Sequence, residues 1–212
     1  MRYDTVIFDL DGTLVDTLDD LKNAVNHALA SKGYPERSRD EIRSFLGDGM
    51  ALLVRRAAGK DLGEEEFNEL FSRFSSYYQA HICDCSRPYP GVPELLRELR
   101  KLGVRTAVVT NKRDPAAKKL CRDLFPGLLD AVVGEVEGVP RKPDPAPVAR
   151  ALSLLGGGSS VYLGDSEVDV VTARNAGLDL VAVTWGFRKR ETLIACGAER
   201  LIDRPADLLR YL

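Results

Sequence analysis

The chain has 212 residues, with 30 Lys and Arg against 32 Asp and Glu for a formal net charge of −2. That balance leaves no general basic surface, so nucleic acid is not an expected partner. Charged residues at 29% and hydrophobic residues at 44% describe a globular protein, and no apolar run approaches the ~20 residues that span a bilayer.

The amino terminus sets Arg2 and Asp4 around a strand-length apolar run instead of a signal peptide, and no membrane partner is expected. Thr5-Val6-Ile7-Phe8 is short, apolar and partly β-branched, and reads as a buried strand. It runs into Asp9-Leu10-Asp11-Gly12-Thr13, two carboxylates one residue apart before a glycine that permits a sharp turn. Side chains alternate along extended chain, so Asp9 and Asp11 need not compete for one spot. At the carboxyl end of a strand, where α/β folds bind ligands, one acid can attack while the other handles protons.

From Leu14 to Arg87 the texture is helical, with no convincing strand. Leu18, Leu21, Val25 and Ala28 keep the spacing of an amphipathic helix, as do Met50, Leu53, Val54 and Ala57. A further helix holds Phe67, Leu70, Phe71, Phe74 and Tyr77 or Tyr78 behind Glu64, Glu65 and Glu66, acids that suit a helix amino terminus. The aromatic stripe reads as core packing, and Arg55 and Arg56 as a solvated helix face. Residues 15–87 are therefore expected to be an all-helical domain inserted into an α/β domain formed by residues 1–14 and 88–212. Arg87-Pro88-Tyr89-Pro90-Gly91-Val92-Pro93 reads as a semi-rigid hinge.

Beyond it, β-branched runs at 104–110, 131–134, 161–164 and 180–184 alternate with helical spacing at 115–124, 145–155 and 168–176. This rhythm predicts a Rossmann-like, three-layer α/β core whose parallel sheet is covered on both faces. Arg188-Lys189-Arg190 reads as a solvated turn. Cys83, Cys85, Cys121 and Cys196 read as reduced thiols of a cytoplasmic protein. Oligomeric state is not legible.

Several predicted strands end in polar residues: Asp9 and Asp11, then Thr110 and Asn111, then Asp165 with Asp169 four residues on. Lys142 leads into the helix after Pro145. In a parallel sheet the carboxyl ends share one edge, so these residues should converge. A carboxylate nucleophile splits a difficult hydrolysis into two steps. Phosphoryl transfer needs its equatorial oxygens neutralised by a cation, a lysine, a hydroxyl and N–H groups. Mg2+ favours a few carboxylates with water, which Asp9 and Asp165 offer.

These residues resemble the haloacid dehalogenase superfamily of phosphatases along nearly the whole chain, at Asp9 to Thr13, at Thr110, at Lys142 in Arg-Lys-Pro-Asp-Pro, and at Gly164, Asp165 and Asp169. The resemblance implies that Asp9 attacks phosphorus and that Asp11 protonates the leaving oxygen and then activates water. It implies Mg2+ on Asp9, Asp165 and the Asp11 backbone carbonyl. Thr110, the Asn111 backbone, Lys142 and Gly12 would hold the phosphoryl group, and Asp169 would orient Lys142 or metal-bound water. Family members that displace halide lack the second acid, so Asp11 favours phosphate esters.

The insert matches the helical cap of one subclass, which closes over the site, excludes water and selects the leaving group. Small soluble phosphate esters are the expected substrates. Within that subclass the chain most resembles bacterial phosphoglycolate phosphatases, which points to 2-phosphoglycolate. A pyrophosphatase, a nucleotidase, a sugar-phosphate phosphatase or β-phosphoglucomutase, and a non-catalytic phosphate-binding module are the alternatives. Many relatives of this kind carry Gly-Asn-Gly in the cap where this chain has Gly47-Asp48-Gly49, the expected specificity segment. An added carboxylate there disfavours an anionic leaving group.

Overall fold

The computed structural model describes residues 2–46 and 49–212. The order of elements is β1 (Thr5–Phe8), β2 (Val15–Asp16), α1 (Leu18–Ala30), α2 (Arg39–Phe45), α3 (Met50–Ala58), α4 (Glu64–Ala80), β3 (Arg87–Pro88), α5 (Val92–Lys101), β4 (Arg105–Arg113), α6 (Asp114–Leu124), β5 (Ala131–Glu135), α7 (Ala146–Leu155), β6 (Ser160–Gly164), α8 (Glu167–Asn175), β7 (Asp179–Val183), α9 (Arg190–Ala195), β8 (Leu201–Ile202) and a closing 3-10 turn over Pro205–Arg210. The chain divides into two compact units, residues 1–16 with 88–212, and residues 17–87.

The first unit is a six-stranded sheet in the order β5-β4-β1-β6-β7-β8, with its neighbouring strands parallel. β1 lies between β4 and β6, and all four of its residues are buried, as expected for an apolar strand covered on both faces. Phe8 is in register with Val108 on one side and Leu163 on the other. Asp9, Thr110 and Asp165 therefore leave the same edge of the sheet. One core cluster joins Ile7, Ala107, Val109, Val133 and Tyr162 of the sheet to Val148, Ala151 and Leu155 of α7 and Ala173 of α8. This is the Rossmann-like parallel-sheet architecture predicted from the alternating pattern.

The second unit is built from α1 to α4, with α1 packed on the other three helices. Leu21, Val25, Leu53, Leu70 and Phe74 are buried, and the rings of Phe67, Phe71, Phe74 and Tyr78 follow one another along α4 at 5.5, 6.1 and 5.7 Å. The buried carboxylate of Asp20 accepts from the Cys85 N–H (2.8 Å), the Ser86 N–H (2.8 Å) and the Ser86 hydroxyl (2.6 Å), tying the first turn of α1 to the end of the unit.

Three features differ from the sequence expectation. The two-residue strands β2 and β3 stand at the ends of the helical segment, too short to leave a periodic pattern. The hinge expected through Pro93 ends earlier, because Gly91 (φ 86°) caps α5 and Pro93 sits in its first turn, where proline's missing N–H costs nothing. Helix α2, not anticipated, opens on a capping box in which Ser38 and Glu41 satisfy each other's backbone N–H. Among the described residues no helix is long and apolar enough to cross a membrane.

Candidate active site

The turn after β1 is closed by its own backbone. Leu10 O accepts from the Leu14 and Val15 N–H groups, and the Gly12 N–H donates to Val15 O at 2.9 Å. Gly12 was expected to contact phosphate, but its N–H already has this partner. What the position supplies is room. Its φ is 89°, and a Cβ there would overlap the Asp165 carboxylate. Asp165, 1% exposed, is held on both oxygens: Oδ1 accepts from the Thr13 hydroxyl at 3.2 Å and Oδ2 from the Phe187 N–H at 2.7 Å. The Trp185 indole N–H donates to Thr13 O at 3.0 Å and fixes the same loop.

Lys142 is the centre of the charged cluster. Its Nζ lies 2.8 Å from Asp9 Oδ1 and 2.8 Å from Asp169 Oδ1, and 3.1 Å from the Tyr162 hydroxyl. That hydroxyl in turn donates to Asp169 Oδ1 at 3.0 Å. The other oxygen of Asp169 accepts from the Asp165 N–H, the Ser166 N–H and the Ser166 hydroxyl at 3.2, 3.1 and 2.6 Å. Asp169 thus completes the capping box of α8 while orienting Lys142. Tyr162 had read only as a strand residue, and no sequence signal separates its hydroxyl from ordinary core packing.

The end of β4 contributes three consecutive side chains. Its register with β5 runs regularly from Ala107 to Val109 and then slips, so that Arg113 faces Glu135. Four steps along β4 match two along β5, an irregularity that re-aims side chains. The strand was expected to stop at Thr110 but continues through Arg113. Gly134 makes this possible, since a Cβ there would overlap the Asp114 backbone and stand 2.8 Å from Lys112 O. Thr110, 4% exposed, accepts the Lys112 N–H on Oγ1 at 3.1 Å, which leaves its own O–H to donate. Asn111 clamps the backbone of Lys142: Nδ2 donates to Lys142 O at 3.0 Å, and the Lys142 N–H donates to Oδ1 at 2.9 Å. Lys112, missed in the sequence reading, places Nζ 2.8 Å from Asp11 Oδ1.

Burial, and then the charge of Asp169, raise the Asp9 carboxyl from 3.8 to about 7. Burial and the charges of Asp169 and Asp9 likewise push Asp165 well above the ordinary carboxylate range. Burial alone would depress Lys142, but Asp169 and Asp9 overcome it and hold the ammonium well above the usual lysine value. Oxygens of Asp9, Asp165 and Asp169 lie within 4.8 Å of one another. This set of hard oxygen donors fits a small divalent cation, which would relieve the repulsion that raises both carboxyls. Asp169 already accepts five hydrogen bonds or ion-pair contacts, so Asp9 and Asp165 are the better ligands.

The family model of haloacid dehalogenase-like hydrolases matches residues 6–183. The chain belongs to this family. Among relatives of this haloacid dehalogenase-like hydrolase, the phosphoglycolate phosphatase of Cereibacter sphaeroides is 38% identical over 98% of both chains. The N-acetylmuramic acid 6-phosphate phosphatase of Pseudomonas aeruginosa is 35% identical over 100% of this chain and 96% of its own. A crystal structure from Lactobacillus delbrueckii subsp. bulgaricus, described as a candidate phosphoglycolate phosphatase, superposes with a TM-score of 0.94 at 35% identity, covering 100% of this chain and 98% of that one.

Gly47 and Asp48 lie outside the described residues, and Gly49 (φ 91°) is the N-cap of α3. Arg55 and Arg56 are not simply solvated. The Arg55 guanidinium lies 3.8 Å over the Phe67 ring and 2.7 Å from Glu64, and Arg56 donates to Phe45 O at 2.9 Å. Arg188, expected in a solvated turn, grips both oxygens of Glu167 at 2.9 and 2.8 Å, because the loop carrying it returns to the first turn of α8.

Proposed function

We propose that this chain is a Mg2+-dependent phosphatase that hydrolyses a small phosphomonoester through an aspartyl-phosphate on Asp9, with 2-phosphoglycolate as the favoured substrate. One observation carries the reading: Asp9 lies 2.8 Å from the Lys142 ammonium, within a carboxylate cluster fit for a divalent cation and on the sheet edge that Thr110 shares. Such a carboxylate is positioned to attack and its surroundings to bind phosphoryl oxygens.

In this mechanism an Asp9 oxygen attacks phosphorus and the bond from phosphorus to the leaving oxygen breaks. Asp11 gives that oxygen its proton. Water then attacks the phosphorus of the aspartyl-phosphate while Asp11 takes a proton from it, and the bond to Asp9 breaks. Inorganic phosphate leaves, and both acids return to their starting states. Lys142 and the Thr110 hydroxyl bind the phosphoryl oxygens, and Asp169 and Asn111 keep Lys142 in place. Mg2+, held by Asp9, Asp165 and the Asp11 carbonyl, would supply charge neutralisation at those oxygens. We assign selection of the leaving group to the inserted segment, residues 15–87. The four cysteines, none of them in a disulfide, support a reducing, cytoplasmic setting.

A second reading, a sugar-phosphate phosphatase, is favoured by the 35% identity to the Pseudomonas aeruginosa enzyme. A panel of 2-phosphoglycolate, amino-sugar and hexose 6-phosphates, nucleoside monophosphates and pyrophosphate, assayed with Mg2+, separates the two. We expect kcat/KM for 2-phosphoglycolate to lead by at least about tenfold, roughly 1.4 kcal/mol. A sugar phosphate in first place transfers the assignment to the second reading. Failure to turn over any substrate with Mg2+ present removes the enzymatic reading, and full activity in Asp9→Asn removes the aspartyl-phosphate on Asp9.

A further inference from the structure

Lys112 is a buried charge that the mechanism above does not use. Its side chain is 2% exposed, and its Nζ lies 2.8 Å from Asp11 Oδ1, whose own side chain is 15% exposed. Stability does not explain it. A buried ion pair gains little over apolar side chains of the same size, because desolvating both charges offsets their attraction. A methionine would fill the same space without that cost.

The backbone is shaped to put this ammonium where it is. Lys112 lies in the irregular stretch of β4, where four steps oppose two of β5, and Gly134 leaves room for its carbonyl. Its N–H is fixed on Thr110 Oγ1. The side chain is therefore anchored two residues from a proposed phosphate ligand and meets the acid in the turn after β1.

A carboxylate that must donate and then accept a proton works only within hydrogen-bond reach of the reacting oxygen. A misplacement of about 1 Å costs on the order of 100-fold. Asp11 has two freely rotating side-chain bonds, and among the described residues its strong anchor is Lys112. We propose that Lys112 is the positioning residue of Asp11: its ammonium holds Oδ1, so that Oδ2 carries the proton to the leaving oxygen and takes it from water. This rests on the acid/base role of Asp11 stated above.

Leaving-group dependence tests it. kcat/KM runs through loss of the leaving group, which an alkyl oxygen cannot manage without a proton and a nitrophenolate can. The enzyme is assayed with Mg2+ on 2-phosphoglycolate and on p-nitrophenyl phosphate. The ratio of the two kcat/KM values does not depend on how much of a variant is folded. Lys112→Met is expected to lower the alkyl value by about 100-fold and the nitrophenyl value less than about fivefold, with Lys112→Arg restoring most of the ratio. Asp11→Ala should give the same selective loss, and adding Lys112→Met to it should change the ratio no further. Equal losses on both substrates in Lys112→Met, or a full further loss of ratio in the double variant, overturn the proposal while leaving Asp11 as the acid. A ratio unchanged in Asp11→Ala overturns the acid reading itself, and the positioning role with it.

Discussion

The side-chain amide of Asn111 holds both backbone polar groups of Lys142, donating to its carbonyl at 3.0 Å and accepting its N–H at 2.9 Å. An amide is the one side chain of this length with both a donor and an acceptor at its tip. The pairing sets where the Lys142 stem begins, and so where its ammonium arrives between Asp9 and Asp169.

Asn111→Asp keeps the size and removes the donor, which turns a carboxylate oxygen toward a carbonyl. We expect a loss of about 1–3 kcal/mol in urea melts and a fall in kcat/KM of roughly 10- to 100-fold, the cost of a displaced phosphate ligand. Wild-type kinetics in this variant would show that Lys142 finds its position without the clamp.

The raised Asp9 carboxyl carries a sign. Its folded value of about 7 exceeds the ordinary 3.8, so the folded state binds the proton more tightly than the unfolded chain does. That contribution is complete below the unfolded value and disappears as pH rises through the folded one. In EDTA, wild type is expected to lose stability relative to Asp9→Asn between about pH 4 and about pH 7. Lys142, held well above its usual value, keeps its proton throughout this window and does not reverse the trend. Denaturant melts at pH 5 and 7.5 on both proteins measure it, and a difference that grows in favour of wild type would contradict it.

Asp169 satisfies the start of α8 and Lys142 at once. Asp169→Asn leaves a fully buried position with weaker acceptors and, among the described residues, leaves the Lys142 ammonium only Asp9 as an anionic partner. Removing one partner of a buried pair costs about 3–5 kcal/mol, and the asparagine, which still hydrogen-bonds, should fall toward the lower figure. Chemical denaturation provides the stability, and loss of turnover on p-nitrophenyl phosphate should accompany it. A variant as stable and active as wild type would reduce Asp169 to a helix cap.

Gly12→Ala drives a methyl group into the Asp165 carboxylate and asks alanine to adopt a φ of 89°. The cation site should suffer before the fold does. We expect the Mg2+ concentration for half-maximal activity to rise by at least about tenfold, the scale of a disturbed metal ligand. Gly63→Ala is the control, since nothing lies within 4 Å of its added carbon. An unchanged Mg2+ response in Gly12→Ala would separate Asp165 from metal binding.

The sheet and the sheet-edge residues were legible because β-branched runs end abruptly in polar residues, and a parallel sheet sends those ends to one edge. Asp9, Thr110 and Asp165 came from that logic, and the roles of Lys142 and Asp169 from the family resemblance. Lys112 did not, because in Thr-Asn-Lys-Arg-Asp-Pro a lysine reads as surface, and only the slipped register of β4 turns it inward. Tyr162 was hidden for the opposite reason: its ring belongs to the core, and its hydroxyl matters only once Lys142 is beside it. Gly12 was legible as a turn, but its N–H proved to serve the loop itself. α5 was obscured by prolines that read as a hinge and instead help open a helix.

Gly134 leaves room for a bend that carries Thr110, Asn111 and Lys112 in succession, each addressed to a different part of the site. Displacement there is shared. A backbone shift of a few tenths of an ångström would move the hydroxyl, the clamp on Lys142 and the partner of Asp11 together, so faults at this corner cannot be repaired one at a time. The stretch behaves as a single gauge that is either true or false, and adaptation to a new leaving group has to be sought in parts of the chain that can change without disturbing it.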